Sequence, residues 1–222
     1  MTRIEEPGAA RMEPRLLLLL SAAILFAGWA KFLFDGHAVY VLDYLSRGVC
    51  LAVVLWSRSL AGLAAPPSRW VRALLLTGVI FLVALGAYQF YRYFEVPDPV
   101  FYQDLFPRLE EGAFRTFDLT VGLVLVALSE EVVFRYLFAI LWQHRGWSVP
   151  MLYVASSFAF GLLHLPQGLA LVAFATVTGF LLMFLYRDSG SLWPVVAVHY
   201  ALNLLIFSGA GCDWGVTDCL AT

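Results

Sequence analysis

The chain has 222 residues, of which 61% are hydrophobic and 14% are charged, and its formal net charge is −2. Soluble domains average about 45–50% apolar and about 25% charged residues, so this composition excludes a soluble domain and predicts a polytopic membrane protein in contact with the lipid bilayer. The near-neutral charge excludes the basic surface that nucleic-acid binding requires. We therefore expect a single integral-membrane domain over residues 1–222 and no nucleic-acid partner.

The apolar stretches of the chain predict how many helices cross the membrane. A spanning helix needs about 20 mostly apolar residues, and several stretches of about this length are separated by polar connections. The sequence therefore predicts an all-α transmembrane helical bundle with about seven spans, and eight spans remain an alternative. The predicted spans are 16–34, 38–57, 71–91, 117–142, 149–165, 168–187 and 191–208.

The distribution of arginine predicts the orientation of the bundle. Short cytoplasmic connections carry an excess of Lys and Arg, and with seven spans the arginines of the N-terminal tail and of three connections share one side. We expect that side to be cytoplasmic, the tail 209–222 to be extracytoplasmic, and the membrane to be a bacterial inner membrane. Cys212 and Cys219 in that tail can form a disulfide there, whereas Cys50 lies in an apolar run and is predicted to be a small buried residue. The arginines are Arg3, Arg11, Arg15, Arg58, Arg69, Arg72, Arg145 and Arg187.

The fourth predicted span carries three charged residues, Glu130, Glu131 and Arg135. Charges at the bilayer centre are costly, so such residues face a polar cavity and are functional candidates. Glu131 and Arg135 are spaced i, i+4 and predict an ion pair, which leaves Glu130, about 100° away around the helix, as the freer carboxylate. A structural ion-pair network that locks helices together is the alternative. Asp43 and Arg47 in the second span have the same spacing and are most simply an ion pair.

Two further spans place histidine in apolar surroundings. Phe160 and His164 lie four residues apart near the end of the fifth span, and His199 and Asn203 share one face of the seventh. Taken alone, His164 is as readily explained as a packing residue as it is as a functional one. Taken alone, His199 and Asn203 are as readily a pair that hydrogen-bonds between helices.

Together these side chains form a set that can hydrolyse an amide bond without a Ser or Cys nucleophile. A carboxylate can take a proton from water, and an imidazole can position that water or carry its proton. A second imidazole and an amide can stabilise an oxyanion. Glu130, His164 and His199 are also ligand types of zinc hydrolases, but the spacing is not His-Glu-x-x-His. Zinc is therefore an alternative, and no cofactor is favoured.

The motifs in the last four spans resemble those of a known family, the CPBP intramembrane proteases, which are related to CAAX prenyl endopeptidases and to bacteriocin-processing proteins. The resemblance covers about residues 117–208, which form the protease-like core. Each motif alone is weak, but all three in order on predicted membrane helices are specific. The family archetype has eight spans, whereas this chain predicts seven. The matching residues are Glu130, Glu131 and Arg135 for Glu-Glu-x-x-x-Arg, Phe160 and His164 for Phe-x-x-x-His, and His199 and Asn203 for His-x-x-x-Asn.

The resemblance implies a polar cavity between helices four, five and seven and an intramembrane endopeptidase of the glutamic type. It implies that Glu130 is the general base, that His164 helps it to hold a water, and that His199 and Asn203 form the oxyanion site. Glu131 and Arg135, with Phe160, would then support this geometry.

The implied substrate is a membrane-anchored protein that is cut near its C-terminus, and a sorting tail or a lipidated tail are both candidates. Three alternatives remain open. They are a metal-dependent version of the same protease, a non-catalytic membrane binding or immunity scaffold, and a proton-coupled transporter or channel. Transporters often contain inverted repeats, and the sequence shows no internal repeat.

The depths of the three candidate catalytic residues do not agree in this prediction. At a rise of 1.5 Å per residue, Glu130 lies about 18 Å, His199 about 12 Å and His164 about 22 Å from the cytoplasmic ends of their predicted helices. Contact among them therefore requires that helix five be tilted or begin deeper in the membrane.

Overall fold

The computed structural model describes residues 12–34, 37–57, 67, 70–93 and 109–208. These residues form seven helices and, within the described ranges, no strand. Each helix corresponds to one predicted span, so the prediction of an all-α fold is confirmed. The helices are α1 (Pro14–Ala27), α2 (His37–Ser57), α3 (Trp70–Tyr93), α4 (113–145), α5 (Val149–Leu162), α6 (Leu169–Ser189) and α7 (Trp193–Ser208).

Four segments are long and apolar enough to cross a membrane: Pro14–Leu33, His37–Ser57, Trp70–Gln89 and Leu169–Ser189. The first consists of α1 and a 3-10 extension, Gly28–Leu33. Helices α5 and α7 are apolar but shorter, as the sequence predicts. Large apolar side chains are exposed along the outer faces of the bundle, where lipid would cover them. These features are those of an integral membrane protein, and seven spans remains a prediction.

Helix α4 is continuous from 113 to 145 and therefore longer than the predicted span 117–142. It contains two π-helical turns, Asp118–Gly122 and Val132–Leu137, and the residues that join the turns to the flanking α-helix keep right-handed helical dihedrals. π-Helical turns inside α-helices occur frequently at functional sites. The second turn begins directly after Glu131 and contains Arg135, so the charged motif spans a change in helical pitch.

Glycines allow α5 and α6 to pack closely. A Cβ atom at Gly161 would lie 2.0 Å from Oγ1 of Thr176 and 2.8 Å from the carbonyl oxygen of Val172. A Cβ atom at Gly179 would lie 3.1 Å from Cδ1 of Phe160. Small residues let membrane helices approach in this way, and here the approach sets the position of Phe160 at the end of α5.

The cysteine predictions have different outcomes. Cys50 is fully buried on α2 and its thiol is free, which confirms its interpretation as a small buried residue. Its Sγ lies 3.6 Å from the carbonyl oxygen of Ser21 on α1. Cys212, Cys219 and the rest of the tail 209–222 lie outside the described residues, so their disulfide stays a prediction.

Candidate active site

Four of the predicted site residues line one cavity. Glu130 on α4, His164 in the turn after α5, and His199 and Asn203 on α7 border a space of about 110 Å³ that the centre of a water molecule can occupy. About 10–15 Å³ by this measure is enough for one water, so the cavity has room for several. Its wall also includes residues from the first two helices and from the segment after α1, whereas all the site residues predicted from the sequence lie in its last four spans. Among these are Leu25, Trp29, Lys31, Asp43, Tyr44 and Arg47.

Glu130 is only 3% exposed, and its two carboxylate oxygens have different surroundings. Oε1 accepts a hydrogen bond of 2.7 Å from Nη1 of Arg47, which also donates to Oγ of Ser129 at 3.1 Å. Oε2 has no hydrogen-bond partner in the described part of the chain and lies 3.7 Å from Nε2 of His199. Glu130 is therefore the freer carboxylate only at Oε2, because a cation from another helix binds Oε1.

Arg47 belongs to a chain of charged residues that begins near the end of the first membrane segment. Its Nε donates to Oδ2 of Asp43 at 2.8 Å, which confirms the predicted ion pair. Nζ of Lys31 donates to the other oxygen of Asp43 at 2.5 Å. Two cations thus share one aspartate, and the excess positive charge is neutralised by Glu130. The sequence could have indicated this contact, because the first two spans contain two cations and only one aspartate. A second carboxylate was therefore needed to neutralise Arg47 inside the membrane.

A second set of charged residues lies behind the cavity. Glu131 and Arg135 are both fully buried, and Nε of Arg135 lies 2.9 Å from Oε2 of Glu131, so the predicted ion pair is present. Oε1 of Glu131 lies 2.7 Å from Nδ1 of His199. The two adjacent glutamates therefore contact different helices: Glu130 binds α2, and Glu131 binds α7.

The hydrogen bonds of the two histidines indicate which ring nitrogen carries the proton. Nδ1 of His164 lies 3.1 Å from the carbonyl oxygen of Phe160, and since a carbonyl can only accept, Nδ1 carries the proton. In the neutral ring Nε2 of His164 is then an acceptor. Nδ1 of His199 faces the Glu131 carboxylate, which likewise requires a proton on Nδ1. Nε2 of His199 can therefore donate only when the ring is doubly protonated.

Phe160 lies at the centre of the motif residues and is 3% exposed. Its ring centroid lies 4.7 Å from Cζ of Arg135, an arrangement that allows a cation–π interaction. The rings of His164 and His199 meet it edge-on at 5.1 and 5.7 Å. Phe160 thus contacts both histidines and covers the guanidinium of Arg135, which gives a physical reason for an aromatic residue in the second motif.

The difference in predicted depth has a simple geometric explanation. Helix α5 ends at Leu162, so His164 lies in the turn after it, beside the 3-10 segment Leu165–Gln167. This turn borders the same cavity that contains Glu130 and His199. The cavity extends along the helix axes, so residues at different depths face one space.

The side chains considered as zinc ligands lie beside a positive charge. No group of three or more His, Cys, Asp and Glu side chains among the described residues is arranged to hold a metal ion. The donor set considered for zinc, Glu130, His164 and His199, also lies against the guanidinium of Arg47, 2.7 Å from Oε1 of Glu130. That positive charge opposes a divalent cation. The guanidinium of Arg47 would thus compete with a cation for Glu130, and the reaction proposed below uses no metal.

Comparison with known proteins identifies one protein family. Residues 110–205 match the family model described as Type II CAAX prenyl endopeptidase Rce1-like. This segment is somewhat less than half of the chain and contains all three motifs, whereas Arg47 and the rest of α1–α3 lie outside it. No curated protein and no solved structure matches the chain. The resemblance predicted from the motifs is therefore confirmed: over residues 110–205 this chain is similar to the Rce1-like Type II CAAX prenyl endopeptidases.

Proposed function

We propose that the protein is an intramembrane endopeptidase that hydrolyses a peptide bond near the C-terminus of a membrane-anchored protein. One observation carries this proposal. A buried glutamate has one oxygen held by Arg47, while its other oxygen faces an imidazole inside a cavity large enough for water. The match of residues 110–205 to a family of endopeptidases supports the same reaction class.

The reaction begins at Oε2 of Glu130. This oxygen takes a proton from water, and the water oxygen forms a bond to the carbonyl carbon of the substrate. When the tetrahedral intermediate collapses, the C–N bond breaks and Glu130 returns the proton to the leaving amine. Arg47 supports both steps, because it fixes Oε1 and so leaves Oε2 as the oxygen that faces the water.

The histidines and Asn203 have complementary roles in this proposal. Nε2 of His164 accepts a hydrogen bond from the attacking water, because its Nδ1 donates to Phe160. His199 and the Asn203 amide donate to the oxyanion. His199 can do so only when both ring nitrogens carry a proton, and the buried Glu131 carboxylate, 2.7 Å from Nδ1, holds the ring in place. Glu131 and Arg135 thus act through His199.

The proposed protease acts in a particular membrane and on a particular class of substrate. The protein lies in a bacterial inner membrane with a cytoplasmic N-terminus and an extracytoplasmic C-terminus, in line with its arginine distribution. Its partners are the bilayer and a membrane-anchored protein with a sorting or lipidated C-terminal tail. The reaction needs no metal or other cofactor.

A non-catalytic scaffold is the second candidate, and one observation favours it. The buried ion pairs join Lys31, α2, α4 and α7, which is also what a structural network that locks helices would do. The two functions differ in what they require of Glu130. A scaffold needs its hydrogen bond to Arg47, whereas a protease needs its unpartnered carboxylate oxygen.

The substitution Glu130→Gln separates these functions, because glutamine keeps an oxygen for Arg47 but cannot take a proton from water. The experiment is co-expression of a candidate membrane-anchored substrate with wild type, Glu130→Gln or His164→Ala. Glu111→Gln is the matched control, since Glu111 is an exposed residue before α4. We expect cleavage by wild type and the control and loss of cleavage in both site variants.

A parallel cleavage assay of the purified enzyme with added chelator tests the metal-dependent alternative. Cleavage that persists in chelator supports the glutamate mechanism, and cleavage that is lost and then restored by zinc contradicts it. Cleavage at the wild-type rate by both site variants would show that the polar cluster is structural.

A further inference from the structure

Within the described residues, the cavity opens toward one end of the bundle. It is bordered by residues at helix ends: Phe32 after α1, Tyr40 in the first turn of α2, Asp118 near the start of α4, and Phe207 near the end of α7. Gln167, between α5 and α6, also borders it. Because successive helices run in opposite directions, all these positions lie at the same end, opposite to the N-terminus of α1. We call this the open end.

The other end of the bundle is closed by tightly packed side chains. Beyond Glu130 and Glu131, every apolar residue of α4 from 132 to 134 is at most 1% exposed. The other helices contribute side chains of similar burial to the same core, each from the half that is nearer the N-terminus of α1. These include Leu17, Val54, Leu152, Leu182 and Val195. The described residues therefore leave no path to Glu130 from this closed end.

Basic residues identify which compartment each end faces. Of the 14 Lys and Arg residues, eight lie in the N-terminal tail or in the short connections at the closed end. Those in the described residues are Arg15, Arg72, Arg145 and Arg187. At the open end, the segment from the end of α3 to the start of α4 carries Arg92, Arg108 and Arg115, and Lys31 is buried after α1, so four basic residues stand against eight. Since an excess of Lys and Arg in short connections marks the cytoplasmic side, the closed end is cytoplasmic.

We infer that the site receives its substrate from the extracytoplasmic face of the membrane. This inference rests on the proposed protease function and adds the side on which it acts. A tail on the cytoplasmic face would meet the packed core, whereas the described residues leave the cavity accessible from the opposite face. The substrate is thus a membrane-anchored protein whose cleaved segment is exposed on the extracytoplasmic side.

The depth of the cavity also limits the shape of the substrate. Glu130 lies twelve residues along α4 from Asp118, which corresponds to about 18 Å. An extended peptide rises about 3.3 Å per residue, so about five residues are needed to reach from the open end to Glu130. The segment that is cut must therefore be unfolded over at least about five residues beyond any folded domain.

Thiol labelling tests the orientation. Glu111→Cys, just before α4 at the open end, and His144→Cys, at the closed end, are introduced separately into a background with Cys50→Ala, Cys212→Ser and Cys219→Ser. Both native side chains are exposed, at 91% and 53%. A membrane-impermeant maleimide should label Glu111→Cys in intact cells and His144→Cys only after permeabilisation. The reverse pattern overturns the inference.

Two reporter substrates test the side of cleavage. They carry one cleavage segment on membrane anchors of opposite orientation, so that the segment is displayed on either face. Wild type should cut only the extracytoplasmic reporter, and shortening its unfolded spacer from eight residues to two should abolish cleavage. Glu130-dependent cleavage of the cytoplasmic reporter overturns the inference but leaves the protease function intact. Equal cleavage by wild type and Glu130→Gln, with the expected labelling, contradicts the protease function instead.

Discussion

Nη1 of Arg47 lies 2.7 Å from Oε1 of Glu130, across the interface between α2 and α4. Arg47 is outside the segment that matches the protease family, which begins at residue 110. The base of the proposed reaction is therefore oriented by a part of the chain that the family match does not include. The N-terminal helices are in this sense part of the site, because α2 supplies the cation that distinguishes the two oxygens of Glu130.

The first prediction concerns this ion pair. Arg47→Met should destabilise the fold by about 3–5 kcal/mol, because it leaves Glu130 buried without its cation. Arg47→Lys keeps the charge but not the planar group that reaches Asp43, Ser129 and Glu130 together. We expect Arg47→Lys to fold and to lose kcat by about 100-fold through misplacement of the base, with little change in KM.

Thermal unfolding in detergent and steady-state kinetics measure these two effects. Arg72→Lys is the matched control, because Arg72 forms its ion pair with Asp188 at the closed end of the bundle, where its side chain is half exposed. Wild-type kcat in Arg47→Lys would show that Arg47 only joins helices and does not orient Glu130.

The second prediction concerns the pair formed by Glu131 and His199. Glu131→Gln weakens the 2.7 Å contact that holds the ring of His199 in place, and His199→Gln removes the imidazole donor itself. Each should lower kcat by about 10²–10³-fold, the usual effect of losing one oxyanion donor. Because both act through the same Nε2 proton, the double variant should be no slower than the slower single variant. Independent, multiplicative losses in kcat would contradict the coupling.

The sequence predicted those contacts of the site that join residues close together in the chain, and it missed those that join distant residues. Local spacing was sufficient for the Glu131–Arg135 pair and for the His199–Asn203 face, because residues four apart share a helix surface. The contact between Arg47 and Glu130 joins positions 83 residues apart. The spacing of residues within one helix gives no information about such a contact. The π-helical turn after Glu131 was also not predictable, since Val132–Leu137 has the apolar composition of an ordinary span.

The third prediction concerns Phe160, whose ring contacts Arg135, His164 and His199. Phe160→Leu keeps an apolar side chain but loses the ring face, so it should cost about 1–2 kcal/mol of stability and lower kcat more than it raises KM. Phe158→Leu is the control on the same helix, because Phe158 is 54% exposed on the outer face of the bundle. Similar kcat values for the two variants would show that Phe160 does not position the histidines.

The last prediction concerns the close approach of α5 and α6 at Gly161. Gly161→Ala would place Cβ 2.8 Å from the carbonyl oxygen of Val172, a backbone atom that cannot rotate away. The helices must separate, which should cost about 1–3 kcal/mol and displace the turn that carries His164. Gly48→Ala on α2 is the matched control, because a Cβ there has no neighbour within 4 Å.

Alanine is favoured over glycine in a helix by about 1 kcal/mol, so Gly48→Ala should be neutral or slightly stabilising. Thr176→Ala combined with Gly161→Ala should recover only part of the lost stability. It removes the Oγ1 contact at 2.0 Å but leaves the backbone contact in place. Unfolding midpoints and cleavage rates of these three variants provide the test. If Gly161→Ala is as stable and active as Gly48→Ala, the spacing between α5 and α6 does not determine the position of His164.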